Sequence, residues 1–118
     1  MERLVLDSSK HSDVATAVVA KFHRDVVEHV RSTVESEPWV MVGMAQNPVV
    51  SAARKFLDSE NIPYKYIGYG SYVSEWKKRL AIKLWAGFPT YPMIFRHGVL
   101  LGGLSELKKL KADGKLLG

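Results

Sequence analysis

Between Ser12 and Val34 the apolar residues Val14, Val18, Phe22, Val26, Val27, Val30 and Val34 recur at intervals of mostly three or four, which predicts one long amphipathic helix. Ser12 or Asp13 can cap its start. Glu35-Ser36-Glu37-Pro38 reads as its end, because the residue before a proline avoids the helical region. Trp39-Val40-Met41-Val42-Gly43-Met44 is an unbroken apolar run suited to a buried strand. Asn47-Pro48 then supplies a strong helix cap followed by proline at the first helical position, and Val50, Ala53, Phe56 and Leu57 carry the apolar face of that helix. Asn61-Ile62-Pro63 ends it, and Tyr64-Lys65-Tyr66-Ile67 alternates as a second strand. After the loop Gly68-Tyr69-Gly70-Ser71, a third helix opens at Ser71 or Ser74 and runs through Trp76, Leu80 and Leu84.

The last third predicts a strand at Met93-Ile94-Phe95-Arg96, a two-residue turn at His97-Gly98 and a return strand at Val99-Leu100-Leu101. Gly102-Gly103 leads into a helix carrying Leu107 and Leu110, closed by Asp113-Gly114. The order is helix, βαβ, helix, β-hairpin, helix. It closes most simply as an α/β fold, a four-stranded mixed central sheet with flanking helices and an added long N-terminal helix.

Composition narrows the functional classes. At 118 residues the chain is long enough for one domain with a self-sufficient core. It contains no cysteine, which excludes disulfides, thiolate zinc sites, cysteine-held clusters and cysteine nucleophiles. No apolar run approaches the roughly 20 residues of a membrane span, so no membrane contact is expected. Met1-Glu2-Arg3-Leu4, followed by Asp7 and Asp13, suits neither a secretory signal nor a transit peptide, so an intracellular and cytoplasmic setting is expected rather than an organellar one.

The net charge is +5, 17 Lys and Arg against 12 Asp and Glu, and basic residues cluster at Lys77, Lys78, Arg79 and Lys83, at Arg54 and Lys55, and at Lys108, Lys109, Lys111 and Lys115. These are mixed with apolar residues at helical spacing and read chiefly as solvated faces, so nucleic acid is not the expected partner. His11, His23, His29 and His97 lie at no metal-ligand or triad spacing, so no metal site and no catalytic residue is expected.

Phe88-Pro89-Thr90-Tyr91-Pro92, the hairpin and Gly102-Gly103-Leu104-Ser105, in that order and spacing, resemble the glutaredoxin family of the thioredoxin fold, and its single-cysteine branch in particular. The resemblance runs from about Trp39 to Gly118, and divides the chain into a helical extension over 1–37, packed on the domain, and a glutaredoxin-like domain over 38–118. It implies a cis Tyr91–Pro92 bond, which costs only about 0.5–1 kcal/mol for an X–Pro pair, and a Tyr91 backbone that pairs with the cysteinyl part of glutathione. It also places the family's Cys-x-x-Cys or Cys-Gly-Phe-Ser motif on Asn47-Pro48-Val49-Val50. Asn47 has no nucleophilic atom and Val50 no polar one. Thiol–disulfide exchange needs a thiolate, and a shared iron–sulfur cluster needs a protein thiolate ligand. Neither is expected here.

The glutathione cradle that the resemblance implies is partial. The family's lysine before the motif is Met44. Arg79 and Lys83 match two basic positions four apart on the third helix, where they would share a face and hold a carboxylate. Gly103, Leu104 and Ser105 match the segment whose amides receive the γ-glutamyl carboxylate. Ser105 stands where an aspartate would meet the ammonium group, and its other reading is a helix cap. The expectation is a redox-inactive glutaredoxin-like protein, a binding or scaffolding module for an unidentified protein partner, with weak residual affinity for glutathione and no other cofactor. Its surface would be a groove between Asn47, Tyr91 and Ser105, made apolar by Met44, Val49 and Val50, or else the valine stripe of the first helix. The alternative is a basic component of a ribonucleoprotein or other assembly, with Tyr64, Tyr66, Tyr69 and Tyr72 available for stacking.

Overall fold

A computed structural model of the chain describes residues 3–71 and 73–118, so Tyr72 lies outside the described residues. The first helical pattern forms two helices rather than one. Helix α1 spans Asp13–Lys21, capped by the Ser12 hydroxyl accepting the Ala15 N–H, and α2 spans Arg24–Ser36. Between them His23 takes left-handed backbone angles (φ 44°, ψ 45°), with its ring edge-on to Phe22. Element length explains the break. The sheet's strands hold four or five residues, about 17 Å at most, whereas a straight helix from Ser12 to Val34 would run about 34 Å. Only α2 covers the sheet. Val26, Val30 and Val34 are buried, while Val14 and Val18 are 76% and 62% exposed.

Strand β1 (Trp39–Gly43) is buried along its whole length, as its unbroken apolar run requires. It pairs parallel to β2 (Lys65–Gly68), with Val42 opposite Ile67, and antiparallel to β3 (Met93–Arg96), with Val40 opposite Phe95. β4 (Val99–Gly102) completes the order β2-β1-β3-β4. His97 and Gly98 both have positive φ (48° and 80°), the geometry a two-residue hairpin turn needs to match the twist of its strands.

Helix α3 (Pro48–Ser59) begins as expected. The Asn47 side-chain oxygen accepts the N–H groups of Val49 and Val50 at 2.9 and 3.0 Å. Two starts differ from expectation. Helix α4 (Trp76–Ala86) is entered through Glu75 in the left-handed region, not through Ser71 or Ser74; the Ser74 hydroxyl instead accepts the Ser71 N–H and closes the preceding loop. Helix α5 (Leu104–Ala112) has Gly103 at its cap position, not Ser105.

Helices α2 and α4 pack together, as do α3 and α5, and the two pairs enclose the sheet. Met41, Leu57, Ile82, Met93, Ile94 and Leu107 are fully buried at its centre. Among the described residues, no helix is long and apolar enough to cross a membrane.

The break in the first helix sets a measurable contrast. Val30→Ala is expected to lower stability by roughly 2 kcal/mol, for two buried methyl groups and the void they leave. Val14→Ala should change it by less than about 0.5 kcal/mol. Urea denaturation midpoints of the two variants check this, and equal losses would mean that α1 belongs to the core.

Candidate functional site

At one end of the sheet β1 runs into α3, β3 begins, and β4 runs into α5. A groove of about 240 Å³ opens there between the first turns of the two helices and the segment ahead of β3. Tyr91, Pro92, Gly103, Leu104 and Ser105, all expected on the site, line it together with Val49, Thr90, Glu106 and Lys108. The Tyr91–Pro92 bond is cis. Asn47, Arg79 and Lys83 do not line it. Nor is the groove made apolar by the expected trio. Val50 shares the buried stripe with Ala53 and Leu57, and Met44 is buried too, which leaves Val49 as the exposed apolar lip.

Arg79 and Lys83 do not form a carboxylate clamp. The Arg79 side chain is 6% exposed, and its Nη1 donates to the carbonyl oxygens of Tyr69 (2.8 Å) and Ser74 (2.6 Å). The segment between β2 and α4 has no ladder to satisfy these carbonyls, so a buried guanidinium serves them. In turn the carbonyl of Arg79 accepts the Tyr91 hydroxyl at 2.6 Å. Burial raises the Tyr91 phenol far above its ordinary range, so it is a neutral donor. The Lys83 ammonium lies 5.6 Å from the centre of the Tyr91 ring, within cation–π range.

The largest departure is at α5. The carboxylate of Glu106 folds back over the start of its own helix, Oε1 accepting the Gly103 N–H at 2.7 Å and Oε2 the Ser105 hydroxyl at 2.6 Å. The Ser105 hydroxyl and then the Gly103 N–H hold the carboxyl of Glu106 below the usual glutamate range. Helix starts favour negative charge, and here the chain supplies it. An incoming carboxylate would meet a like charge, while an ammonium group would meet an opposite one. The signal was present in the sequence as a glutamate three residues after the cap.

A second groove, of about 390 Å³, lies on the far side of the α3 start, against Gln46, Ser51, Arg54 and Tyr66. There Arg54 sits 4.0 Å over the Tyr66 ring and its Nε donates to the Tyr64 hydroxyl. Tyr66 in turn lies against Gly43 and Gly68, where a Cβ would come within about 2.9 Å of the ring's atoms. Two of the tyrosines considered for stacking are thus engaged inside the chain. Part of the basic surface is engaged as well: Lys78 pairs with Glu75, Lys109 with Asp113 and Lys111 with Glu60. Among the described residues, no three His, Asp or Glu side chains gather as a metal site.

No family model matches the chain. It is 39% identical over 108 residues to the glutaredoxin-like protein of Dictyostelium discoideum, covering 92% of this chain and 88% of that one. It is 31% identical over 77 residues to glutaredoxin 1 of Rickettsia typhi, covering 65% and 73%. Among solved structures, the buckwheat glutaredoxin–glutathione complex superposes with a TM-score of 0.68 at 24% identity, over 80% of this chain and 86% of that one. Reduced glutaredoxin C1 from Populus tremula x tremuloides gives 0.70 at 17%, over 85% and 86%.

The α5 start carries a pH prediction. Because the folded pKa of Glu106 is depressed, its charged form stabilises the fold above the ordinary value of 4.5, and that contribution disappears as pH falls through the folded value. Glu106→Gln should therefore be less stable than the parent at pH 7, with the gap closing in acid. Denaturation at neutral pH and near pH 3 measures both, and a gap that widens in acid would contradict the assignment.

Proposed function

We propose that this chain, which belongs to the glutaredoxin family, is a redox-inactive member that acts as a binding module through the groove between Tyr91 and the start of α5. The observation that carries this reading is Asn47. By the motif resemblance it stands where the family has its cysteine, and its side-chain oxygen caps the start of α3 by accepting the Val49 and Val50 N–H groups. With no cysteine in the chain, no thiolate is available to attack a disulfide or to hold an iron–sulfur cluster.

Glutathione is a candidate ligand because the groove retains the Tyr91 backbone, Gly103 and Leu104. Its binding would be weak. Met44 offers no charge, the guanidinium of Arg79 serves the chain's own carbonyls, and Glu106 opposes a carboxylate at α5. Each lost charged contact is worth about 1.5–3 kcal/mol, or at least tenfold in affinity. The same groove suits an extended protein segment that contributes amide groups along Tyr91 and a cationic group near Glu106. The assembly-component alternative gains no such support, since Tyr64, Tyr66 and several of the lysines it would use are already paired.

Titration of isotopically labelled protein with reduced glutathione should give saturable amide shifts at Tyr91, Gly103 and Leu104, with a millimolar dissociation constant. Absence of clustered shifts at high millimolar ligand would remove glutathione and leave the protein segment. A second test restores the chemistry. In Asn47→Cys the new thiol stands at a helix start and should titrate below the usual value of about 8.5, as read from the pH dependence of its alkylation. An unshifted thiol would show that this helix end no longer stabilises an anion.

A further inference from the structure

Helix α4 carries one apolar face that the core does not cover. At 3.6 residues per turn, Trp76, Leu80 and Leu84 fall within an arc of about 80°, and the buried Arg79, Ala81 and Ile82 fall outside it. The three are 54%, 38% and 61% exposed. At the C-terminal end of the helix Arg3 donates to the Gly87 carbonyl at 2.9 Å, and Leu4, 99% exposed, lines one groove with Leu84. The exposed side of α4 is therefore an apolar ridge that the N-terminal segment extends.

The charges beside the ridge say what it meets. Lys77 and Lys83 stand about 20° beyond its two edges, and Arg3 lies at its C-terminal end. Helix α4 contains no acidic residue, and Glu75 just ahead of it is taken by Lys78. Among the described residues none of these three cations forms an ion pair. The Lys77 ammonium lies 5.7 Å from the centre of the Trp76 ring, so cation and aromatic stand side by side. The complementary surface is anionic at its rim and apolar beneath, which is the layering of a bilayer leaflet with acidic headgroups. Size favours lipid over a folded protein. The exposed surface of Trp76, Leu80 and Leu84 is on the order of 350 Å², less than half of the roughly 800 Å² that each partner of a stable protein complex buries. The sequence predicts no membrane contact because no apolar run reaches about 20 residues, but contact with one leaflet needs no span. We propose that the Trp76–Leu80–Leu84 face of α4 docks peripherally on an anionic lipid surface, with Lys77, Lys83 and Arg3 meeting the headgroups.

Co-sedimentation of the full chain with sucrose-loaded vesicles tests this. Phosphatidylcholine alone is compared with phosphatidylcholine containing about 30% phosphatidylserine, at low salt. Binding to the mixed vesicles is expected, and it should be at least about tenfold weaker without phosphatidylserine. Leu84→Asp should weaken it about tenfold or more, with near-ultraviolet circular dichroism unchanged because Leu84 lies outside the core. Lys77→Gln should weaken it about fivefold, the effect of one cation at an anionic surface. Lys55→Gln, on α3 across the sheet, should change it by less than about twofold. Equal losses from the two lysine variants would overturn the proposal, because net charge alone would then draw the protein to lipid. Binding indifferent to Leu84→Asp would overturn it as well. No sedimentation with either vesicle would also overturn it, and would leave the face to an acidic protein surface.

Discussion

At one end of this sheet, backbone groups that no helix or strand ladder satisfies are met by the chain's own side chains, and the arrangement of the site depends on it. Asn47 accepts two N–H groups at the start of α3, Glu106 accepts one at the start of α5, and Arg79 donates to two carbonyls of the loop before α4. A helix start or a buried loop without such partners would be costly. The Tyr91 hydroxyl joins this set by donating to the Arg79 carbonyl, which ties the segment ahead of β3 to α4.

With no cysteine in the chain, these helix ends are occupied by its own side chains. A helix end that would stabilise a thiolate instead holds an amide, and a helix end open to a ligand's carboxylate instead holds a glutamate. Both are stable states of the free protein, whereas a catalytic site keeps such groups ready for a reacting atom. The groove that remains is lined by Val49, Thr90, Tyr91, Leu104, Glu106 and Lys108. The Glu106 carboxylate at its α5 end opposes a carboxylate ligand.

The N-terminal region illustrates how periodicity and burial part company. The valine pattern runs without interruption from Val14 to Val34, yet only its second half meets the sheet. A helix can keep an apolar stripe for a distance the sheet does not match, and the chain turns at His23. The portion before the turn carries apolar residues with no core to enter.

The sequence alone determined the order of elements from Trp39 onward, the hairpin turn at His97-Gly98, the Asn47-Pro48 helix start and the impossibility of thiol chemistry, because each rests on local residue preference or on the identity of an atom. The bend at His23, the burial of Arg79, the commitment of Tyr66 to Arg54 and the capture of the α5 start by Glu106 were decided by tertiary structure. Arg79 and Lys83 share helical spacing, but spacing cannot say which unpaired carbonyls or rings stand beside each one. Helical position places a side chain on a face, and only the packed chain supplies the donors and acceptors that decide where it points.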